Sequence, residues 1–264
     1  MKDINFLKQN NVDVNQSLEL FGDIETYNET IKEFKNSIEG KLDQITKYYN
    51  DTDMPNYAIY VHSLKSDCKY FGFMKLASIA YEHEMKSKAN DISYVKENFE
   101  NLMEEAREVK RIVYEYLDET SSTKELYSKQ ESKNLTPNDI ILVADDSEVI
   151  RIFVKKIFDG SYEIASAKNG EEALSIIKEH EHDNRIKAIL LDLNMPKIDG
   201  FAVLDYLTVK ELIDVMPVAI ISGDSSSEAI NKAFEYKIVD MLNKPFNETK
   251  IKAVVEKTIN YHKN

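Results

Sequence analysis

This sequence predicts a multidomain chain, α followed by α/β: an antiparallel helical bundle, then a doubly wound five-stranded parallel sheet. Three observations carry that expectation. Of seven glycines and five prolines, only Gly22, Gly40, Pro55 and Gly72 precede residue 130, so turn-forming residues concentrate in the second half. The apolar period changes from helical spacing early in the chain to short continuous runs later. Those runs then alternate with amphipathic helical patterns, the signature of a sheet with helices on both faces.

The helical half begins with NQSLELFGD, a short helix stopped near Gly22. From Ile24 to Tyr49, Ile31, Phe34, Ile38, Leu42 and Ile45 recur at helical spacing. The segment NDTDMPN then interrupts with Asn50, Asp51, Asp53 and Pro55, all breaking or capping types. Helices over about 56–71, 75–88 and 93–117 complete four or five antiparallel elements with short connections. Residues 119–138, rich in Ser, Thr and Lys, read as a solvated linker between domains at 1–118 and 139–264. In the second half, strands are expected at 140–145, 161–166, 188–192, 218–222 and 238–242, each followed by a helix. IILVA and VAII are continuous apolar runs, as suits strands buried on both faces of a parallel sheet.

Composition narrows the function. A net charge of −13 argues against nucleic acid as a partner, because phosphate contacts need clustered Lys and Arg. No apolar run is long enough to insert into a membrane, and the start, MKDINFLKQNN, lacks the apolar core of a signal peptide. A single cysteine, Cys68, excludes an internal disulfide and fits a reducing cytoplasm.

In a doubly wound sheet, ligands sit beyond the carboxyl ends of the strands. Here those ends carry Asp145 and Asp146, then Asp192, then Ser222 and Gly223, then Lys244 and Pro245. Three convergent carboxylates repel one another and call for a cation. Hard oxygen ligands suit Mg²⁺, held by Asp145, Asp146, Asp192 and the main-chain carbonyl of Asn194. With a phosphoryl group as further ligand, Asp192 becomes the nucleophile that forms an acyl phosphate. Lys244 neutralises phosphoryl oxygens and Ser222 hydrogen-bonds one of them.

The stretches ILVADDSEVIR, ILLDLNMPKIDGF, AIISGDSS and DMLNKPF resemble, in order and spacing, the four motifs of bacterial response-regulator receiver domains. The resemblance covers roughly residues 139–263 and implies a flavodoxin-like receiver with phosphorylation at Asp192. Two positions depart from the pattern: Met241 stands where the family places an aromatic, and Lys237 where glycine is common.

The helical half carries HSLKSDCKYFG from His62 to Gly72. On a helix, Val61, Leu64, Cys68 and Phe71 make one apolar stripe, while His62, Lys65, Ser66 and Lys69 make a polar one. An attacking imidazole on that stripe is expected to be exposed, with Lys65 and Lys69 offsetting the charge of phosphohistidine. Gly72 would admit a close approach by another backbone or a partner. His83, flanked by acids, is expected to be a solvated helix residue.

This pattern is similar to the histidine phosphotransfer (HPt) family, with Ser66 in place of the usual first glycine; the resemblance covers about residues 10–118. It implies that His62 carries a phosphoryl group. No GxxxxGK or GxGxxG loop is present, so the chain is not expected to be an enzyme that phosphorylates its own histidine from ATP. The expectation is therefore a two-component phosphorelay protein, Mg²⁺-dependent, using His62 and Asp192, and with no DNA-binding output domain. Its partners would be a sensor histidine kinase, another receiver or another HPt protein, with homodimer formation left open. The alternative is a phosphorylation-controlled binding module in which Asp192 alone is labelled and the bundle serves docking or dimerisation.

Overall fold

The computed structural model describes residues 1–117, 139–223 and 227–261. The linker expected at 119–138 lies outside the described residues.

The first half is helical throughout: α1 (Ile4–Gln9), α2 (Val14–Phe21), α3 (Ile24–Asn50), α4 (Met54–Tyr70), α5 (Met74–Lys88) and α6 (Ile92–Tyr116). Aspartates start most of these helices. Asp13, Asp23, Asp53 and Asp91 each accept a hydrogen bond from a first-turn backbone N–H, satisfying donors that have no partner inside the helix. The short α1, capped in the same way by Asp3, is not among the helices expected from the sequence.

Gly72 sits at φ +78° in the turn between α4 and α5. A Cβ there would run into the backbone of Asp13, whose N–H donates to the Gly72 carbonyl at 2.9 Å. The close approach expected at Gly72 is therefore made by α2 of the same bundle. Gly72→Ala combines a left-handed backbone with a clash against main chain, and is expected to cost at least about 2 kcal/mol, read as a lower midpoint in urea unfolding.

The second half alternates β1 (Ile140–Ala144), α7 (Glu148–Ile157), β2 (Glu163–Ala167), α8 (Gly170–Glu179), β3 (Ile186–Leu191), α9 (Gly200–Val209), β4 (Val218–Ser222), α10 (Ser227–Ala233), β5 (Asp240–Asn243) and α11 (Glu248–Ile259). The strands are parallel, in the order β2-β1-β3-β4-β5. The order reverses between β1 and β3, so the acids that end these two strands lie at the switch point, where such sheets bind ligands. β1 and β4 are buried along their whole length, as their continuous apolar runs require.

The two halves share one hydrophobic core. Phe21, Tyr70 and Phe71 of the bundle belong to the same apolar cluster as Phe153 of α7, Phe246 before α11 and one face of β1. The ring of Phe21 meets Phe153 edge-on at 5.3 Å, and Tyr70 meets Phe246 edge-on at 5.9 Å. The Phe246 N–H donates to the Tyr70 hydroxyl at 3.1 Å. The opposite face of the sheet packs α8 and α9 into a separate cluster around Val203, Leu204 and Leu207.

Candidate functional site

Asp145 and Asp146 follow β1, Asp192 follows β3, and Lys244 follows β5. Asp145 and Asp192 are fully buried and Asp146 is half-buried. One carboxylate oxygen from each of the three lies within 4.8 Å of the others. Lys244 Nζ sits 2.5 Å from Asp192 Oδ2 and 2.7 Å from Asp145 Oδ2. Burial alone would lower the lysine, but the three carboxylates outweigh it and hold the ammonium well above its usual range. Burial, together with Asp192 and Asp146, pushes Asp145 up to about 7 against the opposing pull of Lys244. Burial also raises Asp146, with Lys41 of α3 as the first opposing charge.

Backbone donors fix these carboxylates. The Ser147 N–H donates to Asp145 Oδ1 at 2.9 Å, and the Asn194 N–H donates to Asp192 Oδ1 at 3.1 Å. Gly200 opens α9 directly behind Asp192, and a Cβ there would collide with the Asp192 carbonyl. Ser222 is fully buried at the end of β4, and its carbonyl accepts the Lys244 N–H at 2.8 Å, tying the ends of β4 and β5 together.

The donor set fits a hard divalent cation. Three carboxylates converge there, and Lys244, which touches Asp145 and Asp192, is the cation set among them, with Lys41 acting on Asp146 from the bundle side. Asp145, Asp146 and Asp192, with Asn194 two residues beyond, are the groups able to hold such an ion.

His62 of α4 faces this edge of the receiver half. Its side chain is 1% exposed, against the expectation of a solvent-facing imidazole, because the ends of the sheet cover it. A Cβ on Gly223 would lie 3.1 Å from His62 Nε2 and 3.3 Å from Ser66 Oγ, so the imidazole rests on the glycine that follows Ser222. Nδ1 is 2.7 Å from Glu84 Oε1 of α5. A carboxylate only accepts, so Nδ1 donates its proton to Glu84, and in the neutral ring the lone pair is then on Nε2. Nε2 is buried and makes no hydrogen bond.

Lys65 and Lys88 clamp Glu84 at 2.6 and 2.8 Å. Burial works to raise Glu84, but His62, Lys65 and Lys88 together hold it well below the usual carboxylate range. Burial pulls Lys65 down despite Glu84.

The expectations for this stripe are thus partly revised. Lys65 lies beside the imidazole, 3.2 Å from Nδ1. Lys69 is half-buried and acts by charge on Lys65; the second lysine on the His62–Glu84 pair is Lys88. His83 is not solvated: it is fully buried, with Nδ1 2.8 Å from the Tyr57 hydroxyl, and burial lowers its pKa. Sequence reasoning misses Glu84, although Leu76, Ala77 and Ala80 define an inward face that His83, Glu84 and Ser87 continue. A charge on a core-facing stripe is the signal that could have found it.

A second set joins the halves. Asp67 of α4 is 1% exposed. Its Oδ2 accepts from Lys41 Nζ at 2.5 Å and its Oδ1 from Ser147 Oγ at 2.5 Å. Lys41 Nζ also donates to Ser63 Oγ at 2.7 Å. A cleft of about 380 Å³ opens along the seam, lined in part by His62, Lys88 and Asn194.

Residues 141–256 match the family model of the response regulator receiver domain. The probable methanogenesis regulatory protein FilR2 of Methanothrix harundinacea is 29% identical over 129 residues, 46% of this chain and 82% of that protein. The transcriptional regulatory protein PrrA of Mycobacterium bovis is 35% identical over 107 residues, 40% of this chain and 43% of PrrA. The probable C4-dicarboxylate response regulator DctR of Priestia megaterium is 32% identical over 121 residues. The chain thus spans about half or less of PrrA and DctR. Among solved structures, chemotaxis protein CheY4 of Vibrio cholerae is 26% identical, covering 46% of this chain and 98% of that one, with a TM-score of 0.41. No described helix is long and apolar enough to cross a membrane. With the family match on one side and the buried acids at the switch point on the other, residues 141–256 are a receiver domain of the two-component response-regulator type.

Proposed function

We propose that this chain is a phosphorelay protein that carries phosphoryl groups on both His62 and Asp192. The observation that supports it best is the His62 imidazole itself. Its Nδ1–H is held by Glu84, and its Nε2 is buried, unpartnered and set against Gly223 at the receiver's acid edge. Nothing in the packing of a helical bundle requires a nitrogen lone pair left without a donor in that position.

In this reading Asp192 attacks phosphorus, and Lys244 balances the charge gathered on the phosphoryl oxygens. Ser222 hydrogen-bonds one of those oxygens. Asp145, Asp146, Asp192 and the Asn194 carbonyl would hold Mg²⁺, which when bound would shield the acids and the phosphoryl oxygens from one another. Glu84 positions His62 by fixing the tautomer and stabilises the cationic ring that forms once Nε2 is phosphorylated. The chain is a phosphoacceptor rather than a kinase. Its phosphoryl groups come from and go to a sensor histidine kinase, another receiver or a phosphotransfer protein, in a cytoplasmic setting.

Labelling by a small acyl phosphate with Mg²⁺, followed by acid and alkali treatment, tests the reading. An alkali-labile label is assigned to Asp192 and an alkali-stable, acid-labile one to His62. His62→Gln should remove the second alone. Glu84→Ala should slow its appearance at least about tenfold and change the pH profile of transfer, an effect that loss of packing alone does not produce.

The aromatic core shared by the two halves favours a second reading, in which docking is the output and His62 stays silent. It predicts that no partner receiver ever yields an alkali-stable label.

A further inference from the structure

We infer that the bundle and receiver of a single chain are each other's transfer partner, held as a closed pair by a Lys41–Asp67–Ser147 bridge that withholds both phosphorylation sites from other proteins until it opens. This rests on the relay reading above and adds to it the partner and the gate.

Three independent features converge on it. The first is registration: β3 and β4 pair with Leu191 beside Ile220, which brings Asp192 and Ser222 to the same sheet edge, and His62 Nε2 lies against the next residue, Gly223. The φ of Gly223 is not in the left-handed region, so what its position requires is space for the imidazole, not backbone freedom.

The second is occlusion. His62 is 1% exposed and Asp192 fully buried, so no outside protein reaches either one while the halves are docked. What remains is passage between them.

The third is the bridge. Asp67 is a buried carboxylate with one oxygen on Lys41 and the other on Ser147, in the loop whose two preceding residues are Asp145 and Asp146. Ser147 also gives its N–H to Asp145 and accepts the Ile150 N–H to start α7. The bundle is therefore fastened to the acid loop itself. Removing one partner of a buried charge contact is costly because it strands the other, which suits an element that opens as a unit.

The transfer balances within the pair. The Nε2 lone pair attacks the phosphorus of the Asp192 acyl phosphate, forming N–P while the P–O bond breaks. The electron pair of that bond returns to Asp192 as carboxylate. The ring becomes cationic, with its Nδ1 proton still shared with Glu84. In the reverse direction an Asp192 oxygen attacks phosphorus and the N–P electrons return to Nε2.

The test uses the full chain, loaded at Asp192 with a radiolabelled small acyl phosphate and Mg²⁺. In wild type, the rate at which alkali-stable label appears should stay constant over about a hundredfold range of protein concentration, as for a tethered reaction. Full-length His62→Gln mixed with full-length Asp192→Asn offers both sites only between chains, and should transfer at least about 100-fold more slowly at micromolar concentration. Asp67→Ala should slow transfer in wild type and speed it in the mixed pair. Folding of each variant is checked by circular dichroism. The wild-type concentration series needs no variant and decides the question alone if one fails to fold.

A rate that climbs in proportion to concentration, with the mixed pair as fast as wild type, overturns the closed pair. So does a His62 label obtained only from a separate phosphorylated receiver, although that result leaves the relay reading standing. If no donor ever labels His62, both fall.

Discussion

Asp192→Asn is expected to abolish the alkali-labile label from a small acyl phosphate, a loss of at least about 1,000-fold, as follows removal of an attacking group. The three acids are not equivalent. Asp145 is pushed up to about 7, so near neutrality without a cation about half of it is protonated and unable to attack. Its Oδ1 is also tied to the Ser147 N–H. Asp192 likewise has Lys244 on one oxygen and a backbone N–H on the other, so the two acids differ in place rather than in partners, Asp192 ending the central strand β3. Asparagine keeps the shape but has no anionic oxygen to attack with. Acid-stable, alkali-labile label persisting at wild-type level in this variant would place phosphorylation elsewhere and remove the assignment.

The second large effect is on stability. A carboxyl whose folded pKa lies above its unfolded value favours the folded chain only while it is protonated. Asp145 moves from 3.8 to about 7, so its contribution is fully present below about pH 4 and is lost as pH rises to about 7. A rise of that size is worth at most about 4 kcal/mol. Two other groups work in the opposite direction. His83, buried with a lowered pKa, and Glu84, held low by its cations, both weaken the fold as pH falls. Subtracting Asp145→Asn from wild type at each pH isolates the Asp145 contribution.

In chelator, Asp145→Asn should be the more stable protein at pH 8 and lose that advantage by pH 4, as measured by urea unfolding. Saturating Mg²⁺ should reverse the order at pH 8, because the ion needs the carboxylate. An advantage that does not change with pH would contradict the assignment of the raised pKa to Asp145.

Much of this arrangement is legible in the chain. The runs IILVA and VAII place β1 and β4, and the acids immediately after the strands mark the switch point. Aspartates ahead of apolar periods mark four helix starts in the bundle. β2, expected at 161–166, runs Glu163–Ala167, because Ser161 and Tyr162 turn back after Gly160 on a half-exposed edge strand with weak apolar signal.

What local pattern cannot reveal are facts about pairs of distant residues. His62 reads as exposed on α4 alone and becomes buried only when a strand end more than 150 residues later covers it. Lys41, Asp67 and Ser147 each pass for ordinary polar residues until the two halves meet. Ser66 departs from the HPt pattern, but its neighbour is Gly223 of the other half, which no reading of the bundle supplies.

That last contact sets a volume code. Ser66 and Gly223 are two small residues facing across one seam, with His62 beside Ser66 on the same helix, and the space they leave is shared. A methyl gained at Gly223 would stand 3.1 Å from the His62 ring and 3.3 Å from Ser66 Oγ, so a hydroxymethyl lost at Ser66 relieves only part of the crowding. Two sister chains that divided this space differently would be insulated from each other even with identical chemistry at His62 and Asp192. Fidelity between parallel signalling lines would then depend on a few cubic ångströms.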